Sequence, residues 1–256
     1  MIIYSVRLSR LICFFLFFVA AVTAVVLAGK AGKEAIAAYS QKRELPIYSV
    51  ESTEKKVAIT FDCAWGADDI SDILSTLKKN DIKATFFIVG QWAEKFPEAV
   101  RMMAEDGHDI ANHSYSHLRM GALDKSRISK EISLCGEKLA EISGTKIDLF
   151  RPPYGEYNDD VIKEARALGY YTIQWDVDSL DWKPEMSSGA IIKRVMDKVK
   201  PGSIILFHND TKHTAKILPS IIEKLKEAGY RFEPVSKLIL RDNFYIDYDG
   251  TQRIKK

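Results

Sequence analysis

The sequence predicts an α/β protein: a distorted (β/α) barrel of seven or eight parallel strands, preceded by one N-terminal transmembrane helix. Three observations carry this prediction. From about residue 57 onward, short apolar runs rich in β-branched and aromatic residues alternate with longer amphipathic ones. Ionisable residues recur just past the ends of those short runs. An uncharged apolar stretch over residues 11–29 stands ahead of the domain and is about long enough to cross a bilayer as a helix.

Arg7 and Arg10 precede the apolar stretch, which favours a cytoplasmic start and export of everything that follows. The stretch reads as an uncleaved signal-anchor, giving a single-pass cell-membrane protein whose domain is extracytoplasmic. A cleaved signal peptide is the other reading, because "VLAGK" ends in small residues. Such apolar regions usually run only ~7–15 residues, and this one is longer. The expected organisation is therefore an anchor over 1–30, a polar linker over 31–45, the main domain over 46–240 and a C-terminal tail over 241–256. Asp249-Gly250 suits a small hairpin within that tail.

Hydrophobic residues make up 46% of the chain and charged ones 28%, an ordinary globular balance. The formal charge of +2 gives no electrostatic case for a nucleic-acid partner.

Strands are expected at "VAITF", "ATFFIV", "HDIAN", "IDLF", "YTIQWDV" and "SIILFH". Helices are expected at "DDISDILSTLKKN", "PEAVRMMAEDG", "KSRISKEISLCGEKLAEISG", "DDVIKEARALG", "GAIIKRVMDKVK" and "TAKILPSIIEKLKEAG". Several of these end in Gly or Asn, and Pro97 suits a first helical turn. Neither GxGxxG nor GxxxxGK[ST] occurs, so nothing favours a nucleotide-binding open sheet. Of the three cysteines, Cys13 lies in the membrane run. Cys135 shares a helical apolar stripe with Ile128, Ile132, Leu139 and Ile142, which makes it a small core residue.

In a parallel barrel, the residues after the strands converge on one face. Asp62 follows "VAITF", His113 and His117 follow "HDIAN", Arg151 follows "IDLF", Asp176, Asp178 and Asp181 follow "YTIQW", and His208 ends "SIILFH". Two histidines four apart can aim at one ion. An arginine after a strand, stiffened by two prolines, can hold a buried carboxylate ionised. "WDVDSLDW" sets carboxylates beside flat apolar rings, a composition suited to sugars.

The segments "TFDC", "HSYSH", "RPPY", "DSLDW" and "LFH", in this order, resemble the polysaccharide deacetylase family (carbohydrate esterase family 4, the nodulation-type deacetylase domain). The resemblance spans roughly residues 45–240, and the membrane run and lead-in are similar to the sporulation-associated branch. It implies an extracytoplasmic hydrolase that removes N-acetyl groups from amino sugars of a cell-wall polysaccharide. Under it, Asp62 is the general base oriented by Arg151, and His208 is the acid oriented by Asp181. His113 and His117 hold the metal, normally zinc. The Tyr154 backbone N–H serves the oxyanion, and Trp182 and Leu206 line the pocket for the acetyl methyl.

The sequence departs from the family pattern at Cys63, where a metal-binding aspartate is usual. Three readings stand. A Cys63 thiolate can complete a Cys/His/His zinc site. Cys63 can fall short of the ion, leaving a weak metal site and a poor enzyme or a membrane-tethered glycan-binding protein. Or Cys63 is a packed small residue in a metal-free site.

Overall fold

The computed structural model describes residues 43–255 together with Thr23. The expected membrane run and most of the linker lie outside the described residues, among which no helix is long and apolar enough to cross a membrane.

A short strand β1 (Ser49–Val50) leads into β2 (Lys56–Cys63), whose side chains are buried along almost its whole length. An apolar, β-branched run buried on both faces belongs at the centre of a parallel sheet. β2 is indeed flanked in parallel by β3 (Thr85–Ile88) and by a strand from much later in the chain. Next come β4 (Asp109–Asn112), β5 (Leu149–Phe150), β6 (Tyr171–Thr172), β7 (Val177–Asp178), β8 (Ile204–His208) and β9 (Arg231–Phe232). The order across the sheet is β6-β5-β4-β3-β2-β8-β7, with β9 beside the start of β2. All these pairings are parallel. The result is a curled, all-parallel half-barrel rather than a closed one.

The opening has a local cause. "YTIQWDV", expected as one strand, is two: β6 and β7 stand at opposite edges of the sheet, and residues 173–176 cross between them. Asp176 breaks the run because its carboxylate accepts from the Ile204 N–H and the Ser203 hydroxyl. Ile47 partly fills the gap by bridging to Ile173.

Helices cover the outer face: α1 (Ile70–Lys79), α2 (Gly90–Lys95), α3 (Pro97–Glu105), α4 (Lys125–Ser143), α5 (Asp159–Ala167), α6 (Ser188–Lys198) and α7 (Thr214–Glu227), then the short α8 (Val235–Leu238). Capping follows from sequence. Asp124, Asn158 and Ser187 each accept an N–H three residues on, and Gly144 ends α4 at a φ of 68°.

Alternation along β2 divides its residues between two faces. Val57, Ile59, Phe61 and Cys63 pack in the layer beneath the helices, against Ile73 and Leu77 of α1 and Ile217, Leu218 and Ile221 of α7. Thr60 and Asp62 face the barrel interior. Phe61 stacks on Phe86 at 5.0 Å and lies near Phe207, burial that contributes roughly 1.5–3 kcal/mol for such a ring. Cys135 lies in the same core and its thiol donates to the Ile88 carbonyl, as its helical spacing predicts. Cys63 and Cys135 are both free thiols.

The tail forms the expected hairpin, β10 (Phe244–Ile246) antiparallel to β11 (Thr251–Ile254), and β11 also pairs in parallel with β1.

Candidate active site

The C-terminal ends of the strands open on a cleft of about 400 Å³ lined by Asp62, His113, His117, Tyr154, Trp182, Leu206 and His208, with Ala64, Trp65, Trp175 and Asp178. Asp62 and His208 are register partners on adjacent strands β2 and β8, so the sheet itself sets their spacing.

Asp62 is buried, and its Oδ1 accepts from Arg151 Nη1 at 2.6 Å. Arg151 is fully buried and also donates to Thr60 Oγ1 and to the Gln174 carbonyl, each at 3.0 Å. The Phe87 ring lies 3.9 Å from its guanidinium carbon. Burial alone would raise the Asp62 carboxyl, but the Arg151 charge first, with His208 and the Arg151 hydrogen bond, outweighs it and holds Asp62 below its ordinary value. Asp62 is thus an ionised base in a largely dry site.

His208 is the complementary group. Its Nδ1–H donates to Asp181 Oδ1 at 2.8 Å, and its backbone N–H donates to Asp181 Oδ2 at 2.7 Å. The Thr214 hydroxyl, at the start of α7, donates to the same Oδ2 at 2.6 Å. Burial opposes the charged imidazole, but the bond to Asp181 and its charge, then Asp62 and Asp178, raise His208 above its ordinary value. The cleft therefore holds a carboxylate biased toward its ionised form and an imidazole biased toward its protonated form, the pairing that acid–base chemistry requires.

His113 is buried, and its Nδ1–H donates to the Arg151 carbonyl at 2.7 Å. This fixes the tautomer and aims the Nε2 lone pair at Asp62, 3.6 Å from its Oδ2. The His117 ring stands 5.1 Å from the His113 ring. Burial lowers both imidazoles, His117 to about 4, so both present neutral nitrogens of the kind that bind metal. The loop between them is held by Glu131 of α4, which accepts from the Ser116 N–H and hydroxyl.

The donor set stops there. Cys63 is fully buried on the helix-facing side of β2, burial pushes its thiol well above the ordinary value, and it does not line the cleft. Among the described residues, no three His, Cys, Asp or Glu side chains converge closely enough to hold a metal ion. Two neutral histidines fit a zinc ion; the three protein ligands of a catalytic zinc site are not assembled.

Apart from Cys63, and from Asp176, whose carboxylate is tied to Ser203 and Ile204 at the start of β8, the residues expected from sequence come together. Arg151 and Asp181 stand behind the cleft, and Tyr154 sits at its rim with a left-handed φ of 61° beside His117. Sequence reasoning missed Trp65, Glu131 and Thr214. Of these only Trp65 left a signal, an indole two residues beyond "DC".

A profile of the family described as "Polysaccharide deacetylase" matches residues 49–173. Over 198 residues the chain is 35% identical to a peptidoglycan-N-acetylglucosamine deacetylase of Bacillus cereus, covering 75% of this chain and 92% of that one. The chain belongs to the polysaccharide deacetylase family. It is also 34% identical over 194 residues to the uncharacterized protein YlxY of Bacillus subtilis, a match that spans 76% of this chain and 60% of YlxY. Among solved structures it resembles BA3943, a family 4 carbohydrate esterase pseudoenzyme from Bacillus anthracis, with a TM-score of 0.73 and 35% identity over 75% of this chain and 68% of that one. A mutant of that pseudoenzyme with restored enzymatic activity matches equally well in fold, at a TM-score of 0.73. Members of one family with this fold thus include a deacetylase and a pseudoenzyme.

Proposed function

We propose that this polysaccharide deacetylase domain acts outside the membrane on N-acetylated amino sugars of a cell-wall polysaccharide, peptidoglycan or a related polymer, and hydrolyses their acetamide to release acetate. The membrane run would tether it there, and its expected setting, from the resemblance stated above, is sporulation. The observation that carries the reading is the opposed pair in one cleft, Asp62 bonded to Arg151 and His208 bonded to Asp181. In the hydrolysis Asp62 takes a proton from the attacking water as its oxygen bonds to the acetamide carbon. His208 delivers a proton to the nitrogen as the C–N bond breaks, leaving the amine and acetate. Trp182 and Leu206 would flank the acetyl methyl, and the Tyr154 backbone N–H would face the developing oxyanion.

The test is acetate release from purified peptidoglycan and from N-acetylglucosamine oligomers by the full chain, stripped of metal and then supplied with zinc, cobalt or nothing. Release is expected, and Asp62→Asn and His208→Ala are each expected to reduce it by 10²-fold or more. Release left unchanged by both substitutions would overturn the reading.

The packing of Cys63 favours a second reading, in which the same cleft binds glycan without turnover because the third ligand is missing. Under it Cys63→Asp raises zinc affinity and brings acetate release where the natural chain has none. A loss of release in Cys63→Asp would instead say that the thiol is the working ligand.

A further inference from the structure

The rim of the cleft leaves large aromatic rings in water. Trp65 is 68% exposed, and Trp182 and Tyr154 are 52% exposed each. A single exposed apolar side chain is ordinary, but several exposed rings around one cleft mark a surface that binds. The loop carrying Trp65 is not loose. The carbonyl of the adjacent Gly66 accepts from Trp92 Nε1 and from the Asn209 side-chain amide, and the Gly66 N–H donates to Asp210. The Asp210 N–H in turn donates to both oxygens of Asp69. A Cβ added at Gly66 would come within 2.7 Å of the Asp210 carboxylate, so the backbone there has one tight fit. Trp65 is therefore an exposed ring on a pinned support.

Its position is also specific. Trp65 lies edge-on to His117, with ring centroids 5.9 Å apart, on the histidine side of the cleft. Trp182 directly follows Asp181, on the His208 side, and Lys183 Nζ lies 5.3 Å from its ring. Two indoles thus line the cleft that holds the acid–base pair. A pyranose presents an apolar C–H face that packs on such rings while its hydroxyls stay wet. Hydrolysing one acetamide requires one sugar at Asp62 and His208. A second fixed platform beside the histidines has no task in that step, and it suits the next sugar along the chain.

We propose that Trp65 is the platform for a second sugar ring adjacent to the one presented to Asp62 and His208, and so sets how much more tightly the cleft holds an oligomeric N-acetylated glycan than a single amino sugar. This inference rests on the reading that the cleft takes N-acetylated amino sugars. The test is calorimetric titration of the full chain in mild detergent with N-acetylglucosamine and with chitotetraose, for the natural protein, Trp65→Ala, Trp65→Gln and Trp65→Phe. The natural chain is expected to prefer chitotetraose. Trp65→Ala and Trp65→Gln are expected to lose roughly five- to ten-fold in chitotetraose affinity, the scale of one aromatic contact, with monosaccharide binding unchanged. Trp65→Phe keeps most of the affinity. Equal chitotetraose affinity in the natural chain and in folded Trp65→Ala or Trp65→Gln overturns the inference and leaves the cleft reading standing. No binding of either sugar by the natural chain overturns both.

Discussion

His208 and Asp62 are neighbours in the sheet, and their surroundings push them to opposite charge states. Burial works against both ions; Asp181 reverses it for His208, and Arg151, with His208, reverses it for Asp62. The sign matters for pH dependence. His208 titrates higher in the folded chain than the ordinary ~6.5 of an unfolded imidazole. Its contribution to stability is fully present below that ordinary value and is lost as pH rises through the raised folded value. Nuclear magnetic resonance titration of the His208 ring should find its midpoint above the ordinary value, and Asp181→Asn should lower it. A midpoint unmoved by Asp181→Asn would mean that Asp181 does not hold the charge. Thr214 shares the Asp181 oxygen that receives the His208 backbone N–H, so the carboxylate is fixed by three donors and cannot rotate away from the imidazole.

At the scale of elements, the loop between β4 and α4 carries the histidine pair through backbone that resists it. Ser114 and His117 adopt left-handed φ values of 64° and 55°, positions that cost on the order of 1–3 kcal/mol each for non-glycine residues. Hydrogen bonds offset this: Asn112 accepts from the Ser114 N–H, Ser114 Oγ accepts from the His117 N–H, and the buried Glu131 grips Ser116 while pairing with Arg127. Glu131→Ala is expected to cost about 1–3 kcal/mol, by leaving the half-buried Ser116 N–H without its acceptor, with an unchanged denaturant slope. Glu131→Gln, which keeps one acceptor oxygen, should cost less. Urea unfolding measures both, and a Glu131→Ala variant within about 0.5 kcal/mol of the natural chain would deny the loop its anchor. None of this was legible beforehand. Glu131 sits in "SKEISL" like any solvent-facing helical charge, and only the packing of α4 against β4 turns it inward. The histidines themselves were legible because their spacing and their place after "HDIAN" follow from the parallel-strand pattern alone.

Across the whole molecule, long-range pairings complete what the local patterns begin. β1 lies beside β11, which comes from the far end of the chain, and Gly202 passes so close that an added Cβ would lie 1.7 Å from the Val50 carbonyl oxygen. Gln252 is buried in the tail, exchanging side-chain hydrogen bonds with the backbone of Leu240. The sequence by itself determined the α/β class, the parallel sheet, the helices with their caps, and the strand-end positions of Asp62, His113, Arg151 and His208. Hydrophobic period, turn chemistry and chain order are local quantities that one chain displays in full. Tertiary structure alone decided that "YTIQWDV" divides between the two edges of an open half-barrel, because Asp176 finds its partners at and just before the start of β8. It likewise decided that Asp181 and Thr214 meet at His208, and that Trp65 stands exposed on a braced loop. Only the tertiary structure shows where the Cys63 side chain packs. Side chains in a strand alternate between faces, so the residue after an inward Asp62 turns outward unless the backbone bends. Here the space outside is a packed apolar layer that accepts a thiol more readily than it would a carboxylate.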